Sequence, residues 1–197
     1  MEWLLKWIES GVVGGRRFRP EQKVQIGWSW LEVRQRSDGT LAFFEPDFKS
    51  MPLKFIDSVT NTLLHLMLQK YVAESLGLEG EITIPPLVHS AIVCDVFGST
   101  KGFIMSRVAP NASDSGWFFG CDNESHDHDS SAVLRRVSLY EAAVCKDDRI
   151  ISFLGLPSDI TVEFDGDAPC FSWKSHKIPI RPGSYLHKKY IEKHASE

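Results

Sequence analysis

The residue types best suited to chemistry stand together in one short polar segment. Residues 121–129 carry a thiol, two imidazoles and several carboxylates in the order Cys-Asp-Asn-Glu-Ser-His-Asp-His-Asp. Thiolate, imidazole and carboxylate groups are the usual zinc ligands in proteins, so this segment could hold a zinc ion. The candidate ligands are Cys121, His126, Asp127, His128 and Asp129. A polar loop rarely holds a tetrahedral geometry without distant ligands, however, and we favour a solvated acidic loop with no bound metal and no cofactor.

No catalytic motif accompanies this segment. The sequence contains no G-x-S-x-G elbow, no phosphate-binding P-loop, no H-E-x-x-H and no dinucleotide-binding glycine pattern. Ser115 could be combined with His126 or His128 and an aspartate into a triad, but triads are recognised by geometry, which the sequence does not supply. We expect no enzymatic activity. The alternative is a metal-dependent hydrolase that uses His126 and His128.

The charge of the chain suits a basic protein partner. The net charge is −4, and the acidic excess lies in the middle of the chain. Between Arg107 and Arg135 there are five acidic residues and no lysine or arginine. An acidic surface argues against nucleic-acid binding and favours a basic protein. The residues predicted to contact such a partner are Asp114, Asp122, Glu124, His126, Asp127, His128 and Asp129.

Three aromatic residues precede the acidic loop. Trp117, Phe118 and Phe119 could anchor a partner, because aromatic side chains dominate the energetics of many interfaces. A Trp-Phe-Phe run is nevertheless too apolar to remain exposed. We predict that all three belong to the structural core.

The elements that must position these residues predict an α+β fold with two lobes. In the first lobe, residues 1–86, an alternating apolar pattern over residues 23–36 predicts one strand, and residues 40–45 return as the second strand of a hairpin. Apolar residues then recur at helical spacing over residues 57–76, and Gly77 ends the predicted helix.

The second lobe, residues 87–197, is predicted to form a mostly antiparallel sheet with short helices and a basic tail. Residues 89–97 and 103–108 flank a glycine-containing turn and predict a second hairpin. Ser138 and Glu141 have the spacing of a capping box and predict the start of a short helix. Further strands are predicted at residues 117–120, 160–164 and 170–173.

Several features indicate a cytoplasmic protein without membrane association. Charged residues interrupt the first ten positions, which are therefore unlike a secretory signal. No window approaches the roughly 18 apolar residues of a membrane span. The four cysteines form no C-x-x-C pair, and in the cytoplasm they are predicted to be inert free thiols.

The order of elements around the aromatic run resembles a known bacterial family. The strand Ser-Ala-Ile-Val-Cys-Asp at residues 90–95 is followed by Gly-Phe-Ile-Met-Ser-Arg at 102–107 and Asp-Ser-Gly-Trp-Phe-Phe-Gly at 114–120. This arrangement resembles a domain family grouped with the immunity proteins of polymorphic toxin systems. The resemblance covers about residues 88–174, and the part before it looks like a companion lobe of similar immunity proteins. Family members often carry an acidic loop where this chain has His-Asp-His-Asp.

The resemblance implies a protein that binds a cognate toxin and occludes its active site, often for effectors of type VI or contact-dependent delivery. A cytoplasmic inhibitor implies a toxin with a cytosolic target. A nuclease, with a basic substrate groove, fits an acidic inhibitor, and NAD-consuming toxins stay open as an alternative. A scaffold that binds a non-toxin protein is the third possibility. The sequence leaves the oligomeric state open.

Overall fold

The computed structural model describes residues 2–123, 126–165 and 168–192. Its first part pairs two helices with a four-stranded antiparallel sheet in the order β1-β2-β3-β4. These elements are α1 (Glu2–Val13), β1 (Lys23–Ile26), β2 (Ser29–Gln35), β3 (Leu41–Pro46), β4 (Phe55–Ile56) and α2 (Thr60–Leu76).

The second part is a seven-stranded sheet in the order β11-β10-β9-β6-β7-β5-β8. Its neighbouring strands run antiparallel except for β5 and β7, which are parallel. The elements are β5 (Ser90–Cys94), β6 (Phe103–Arg107), β7 (Asp114–Cys121), β8 (Leu134–Ser138), α3 (Leu139–Glu141), β9 (Ile160–Phe164), β10 (Pro169–Trp173) and β11 (His176–Ile178). The α+β class predicted from the sequence is confirmed.

The first predicted strand is in fact two strands. A tight turn at Gly27 and Trp28 separates β1 from β2, and Ile26 pairs with Ser29 across it. Gly27 has φ +59°, a conformation that glycine adopts without strain. The indole of Trp28 is fully buried. The apolar alternation continues through the turn, so periodicity alone could not reveal the break.

Helix α2 forms as predicted and connects the two parts of the chain. The buried carboxylate of Glu45 caps its amino end by accepting hydrogen bonds from Asn61 N (3.1 Å) and Thr62 N (2.7 Å). Gly77 ends it with φ +73°. The Gln69 side chain donates to the carbonyl of Ile151, 2.9 Å away in the second part. The division at residue 86 therefore stays a proposal, because α2 packs against β1 in the first part and against the segment around Ile151 in the second.

The predicted hairpin of β5 with β6 is wrong. Strand β7 lies between them, parallel to β5 and antiparallel to β6. Consecutive strands joined by a glycine-containing turn are usually neighbours in a sheet. Here β6 instead lies one position away from β5, and the next strand, β7, occupies the position between them. Strands β8 and β11 were not predicted. Ser138 does cap α3, because its Oγ accepts a hydrogen bond from Glu141 N (3.1 Å).

The two faces of the large sheet have different environments. Val93, Met105, Phe119 and Val162 point into the main core and are at most 1 % exposed. The alternate residues Ile92, Ile104, Phe118 and Thr161 lie on the opposite face and are only half-buried. We call this opposite face the outer face.

Candidate functional site

The loop between β7 and β8 packs against the outer face. We call residues 122–130 the histidine loop. The His128 ring meets Phe118 edge-on, with 5.6 Å between the ring centroids. His126 and His128 also meet edge-on, with centroids 5.0 Å apart. The two histidines therefore turn inward and are half-buried, whereas Asp122, Asp127 and Asp129 are exposed.

Two cysteines and these two histidines converge at the end of the parallel strand pair. Cys121 Sγ lies 3.2 Å from His126 Nδ1 and 3.4 Å from His128 Nε2. The backbone N–H of Cys121 donates to Cys94 Sγ at 3.3 Å. One donor atom from each of the four residues lies within 4.8 Å of all the others. We call Cys94, Cys121, His126 and His128 the Cys-His cluster.

The sheet topology explains why the two cysteines meet. Cys94 ends β5 and Cys121 ends β7. Because these strands are parallel and adjacent, their carboxyl ends lie side by side. Both side chains are buried, and burial raises the pKa of the Cys94 thiol, with the hydrogen bond from Cys121 N acting in the opposite direction.

A carboxylate outside the cluster orients one of its histidines. Asp95, the residue after Cys94, places Oδ1 3.3 Å from His126 Nε2. The other nitrogen of that ring, Nδ1, faces Cys121. Neither Cys94 nor Asp95 was singled out from the sequence, because only the parallel pairing of β5 with β7 brings them to the loop.

A cleft of about 450 Å³ opens on the outer face beside the cluster. Its walls include Ile104 and Glu163 from the sheet and Asp122 from the histidine loop. A second cleft of about 410 Å³ lies between β9, β10 and the C-terminal segment, and Glu163 lines it too. The outer face thus presents two concave regions that share an exposed carboxylate.

The predicted partner-binding residues do not all lie on this exposed surface. Asp114, at the start of β7, accepts hydrogen bonds from Arg136 Nη1 (2.5 Å), Gly116 N (2.8 Å) and Ser90 Oγ (3.3 Å). Burial opposes ionisation of its carboxyl, but these hydrogen bonds outweigh it and lower the pKa. Asp114 is thus engaged within the fold. Glu124 lies outside the described residues.

The three aromatic residues divide between the two faces of the sheet. Trp117 is 1 % exposed and Phe119 is fully buried in the main core. Phe118 lies on the outer face, half-buried, against His128. The triad considered from the sequence does not form. Ser115 Oγ donates to the Ser90 carbonyl, and Ser115 stands at the opposite end of β7 from the histidines, roughly 20 Å away at the usual rise per strand residue.

A family model matches the part of the chain that contains this arrangement. The model of the Imm33-like domain matches residues 68–174, which is more than half of the 197 residues. The chain belongs to the Imm33-like family. Neither the curated proteins nor the solved structures contain a match to it. The Imm33-like domain begins within α2 and contains every strand of the large sheet except β11, together with the Cys-His cluster.

Among the described residues, no helix has the length and apolar character needed to cross a membrane.

Proposed function

We propose that this Imm33-like protein is an immunity protein that binds a cognate toxin and neutralises it by covering the toxin's active site. The observation that carries the proposal is the Imm33-like domain over residues 68–174. Members of immunity families act by binding, and a large shape-complementary surface serves that purpose without catalytic groups.

The outer face and the histidine loop together are the proposed toxin-binding surface. Ile104 and Phe118 offer half-exposed apolar area that a partner can bury, and the two clefts beside them can accept side chains. Exposed carboxylates of Asp127, Asp129 and Glu163 surround this apolar area. An apolar centre with a charged rim is the usual anatomy of a specific interface.

The proposed target is a cytosolic toxin with a basic active-site groove, such as a nuclease effector delivered by type VI secretion. Two observations support this. Acidic residues exceed basic ones in the chain, and those of the histidine loop lie beside the proposed binding surface, which suits a basic partner. All four cysteines lie among the described residues and none of them forms a disulfide, as is usual in a reducing compartment.

Protection of cells tests the function directly. We expect the protein to rescue cells that express, in the cytosol, the toxin encoded beside its gene, and the purified pair to form a complex. Rescue only when the protein is exported to the periplasm would contradict the cytosolic target. A folded protein that fails to bind that toxin and gives no rescue would contradict the immunity function.

Substitutions on the outer face test the proposed surface. Ile104→Arg places a positive charge at the centre of the face and is expected to abolish toxin binding, because a basic groove would repel it. Ile56→Arg on β4 is the matched control, since Ile56 is also a strand residue and is 39 % exposed. Equal binding by both variants, with native circular dichroism, would show that the toxin docks elsewhere.

Neutralising the acids of the histidine loop tests the charge contribution. Changing Asp122, Glu124, Asp127 and Asp129 to their amides should slow association on the order of tenfold at low salt and weaken its salt dependence. The control changes four exposed acids of the first part, namely Glu2, Glu9, Glu21 and Glu81. If only the total charge matters, both quadruple variants will associate equally slowly.

A further inference from the structure

We propose that the Cys-His cluster is a structural zinc site, with Cys94, Cys121, His126 and His128 as the four ligands of one Zn²⁺ ion. Two thiolates and two imidazoles form one of the standard structural zinc ligand sets. This site does not depend on the proposed toxin binding and would exist equally in a protein with another partner.

The distances in the cluster fit a tetrahedral zinc ion. With Zn–S of about 2.3 Å and Zn–N of about 2.0 Å, neighbouring sulfur and nitrogen ligands of a tetrahedron lie about 3.5 Å apart. Cys121 Sγ lies 3.2 Å from His126 Nδ1 and 3.4 Å from His128 Nε2. All four donor atoms lie within 4.8 Å of one another, so small side-chain rotations suffice to place them around one ion.

The surroundings of His126 supply the expected second coordination shell. Metal-bound histidines usually donate their other ring N–H to a carboxylate, which fixes the tautomer and the ring orientation. Asp95 Oδ1 stands 3.3 Å from His126 Nε2 and leaves Nδ1 for the metal. The rings of His128 and Phe118 meet in an edge-to-face arrangement, which orients the second imidazole.

Four protein ligands make this a closed site. A catalytic zinc keeps one position for water or substrate, whereas four protein ligands fill the tetrahedron, so the geometry favours a structural ion over a hydrolytic one. A cysteine nucleophile, with Cys121, His126 and Asp95 as its triad, is the competing assignment. It requires an accessible sulfur, but Cys121 is 2 % exposed, and it leaves the convergence of Cys94 and His128 unexplained.

A bound ion would connect the histidine loop to the carboxyl ends of β5 and β7. Binding releases the two thiol protons, so one Zn²⁺ with two thiolates adds no net charge and the loop remains acidic. Asp127 lies between the two histidine ligands and Asp129 follows them. The ion would therefore hold the exposed carboxylates of the loop in place on the outer face. The sequence argued against a zinc site because no ligand from outside the loop could be identified. Cys94, at the end of β5, supplies that ligand.

Elemental analysis of the full-length protein, expressed without a histidine tag in zinc-supplemented medium, tests the site. We expect one zinc per chain after gel filtration. After removal of the zinc with a chelator, titration with Co²⁺ should give the visible d–d bands of tetrahedral cobalt and a near-ultraviolet sulfur-to-cobalt charge-transfer band. Addition of Zn²⁺ should abolish both.

Loop variants locate the ion without disturbing the core. His126→Gln and His128→Gln alter half-buried loop residues and should reduce the zinc content to well below one per chain, with native circular dichroism. His176→Gln and Cys145→Ser, at exposed positions away from the cluster, should keep it. Cys121→Ser should remove the charge-transfer band of the cobalt protein if that variant folds.

Three results would overturn the proposal. One is a folded, reduced protein that neither retains zinc nor takes up Co²⁺ at micromolar concentrations. Another is a bound ion that His126→Gln and His128→Gln both keep. The third is rapid alkylation of Cys121 in zinc-loaded protein, which would favour a reactive thiol over a metal-bound thiolate.

Discussion

Arg107 is the buried charged residue whose removal should cost the most stability. The guanidinium is 3 % exposed and donates to the carbonyls of Ser115 and Leu156 and to both the carbonyl and Oγ1 of Thr83. These acceptors belong to β7, to the segment after Phe153 and to the connector before β5. One side chain therefore joins three separate parts of the chain to the end of β6.

The loss of stability on removing Arg107 depends on two opposing contributions, the cost of burying its charge and the gain from its hydrogen bonds. Burial lowers the pKa of Arg107 to about 10, which corresponds to a penalty on the charged form of about 3 kcal/mol. Four hydrogen bonds from a charged donor contribute about 1.5–3 kcal/mol each, and their loss leaves buried acceptors unsatisfied. Arg107→Met removes the burial penalty and also loses the four hydrogen bonds, so we expect a net destabilisation of at least about 3 kcal/mol. That is a large fraction of the stability of a typical domain.

Urea unfolding followed by circular dichroism measures this loss. Arg135→Met is the matched control, because Arg135 is exposed on β8 and also donates to two carbonyls, those of Ala132 and Leu134. It should change the free energy of unfolding by less than about 0.5 kcal/mol. If Arg107→Met unfolds within about 1 kcal/mol of the wild type, the buried carbonyls find other donors and the reasoning fails.

Three further substitutions test the core, the cap of α2 and a buried histidine. Trp117→Ala should destabilise the protein by about 3–5 kcal/mol, measured by urea unfolding, and a folded variant that loses only toxin binding would contradict its place in the core. Glu45→Gln should cost about 1–2 kcal/mol and lower the melting temperature, because the charged cap of α2 becomes a neutral one; an unchanged melting temperature would show that the charge is immaterial. Burial lowers the pKa of His65 to about 4, below its value of about 6.5 in the unfolded chain, so the unfolded state binds more protons between these values. Stability should therefore fall as the pH decreases from about 6.5 to 4, by up to about 1.4 kcal/mol per pH unit, and His65→Gln should flatten this slope in urea titrations with chelator present.

Local signals predicted those elements whose structure depends on neighbouring residues in the chain. Helix α2 and its end at Gly77 lie where the sequence predicts them, and so do strands β9 and β10. Ser138 caps α3 as predicted. These features rest on contacts within a few positions. The turn at Gly27 was missed because two strands joined by a tight turn keep the same alternation as one strand.

The order of strands in the large sheet could not be predicted from the sequence. The Cys-His cluster was missed for the same reason, because it forms only where β5 and β7 are neighbours. Cys94 and Cys121 are separated by the whole of β6 and its connections. They become neighbours only because β7 inserts between β5 and β6. Nothing local in the sequence distinguishes this order from the simpler hairpin. The alternation of side chains along β7 places Phe118 on the face opposite to Trp117 and Phe119, although the three residues are equally apolar in sequence.

The Asp-Ser-Gly-Trp segment at residues 114–117 has a structural role. Asp114 accepts from Gly116 N and Arg136, and Ser115 Oγ donates to the Ser90 carbonyl, so both fasten the amino end of β7 to β5 and β8. Gly116 has φ +76°, and a Cβ there would lie 2.2 Å from the carbonyl oxygen of Val108. Trp117 then enters the core.

These contacts hold one end of the parallel strand pair, and the Cys-His cluster stands at the other. Parallel pairing is slightly less stable per residue than antiparallel pairing, and the register of β5 with β7 shifts between Ser90 and Ile92. A strand pair of this kind gains most from interactions at its two ends, where fraying begins. The residues of the Asp-Ser-Gly-Trp segment thus stabilise the fold, and their side chains are engaged within it. A binding surface for the proposed toxin is therefore to be sought among the side chains that the fold leaves exposed. On the large sheet these are the side chains of the outer face and the histidine loop.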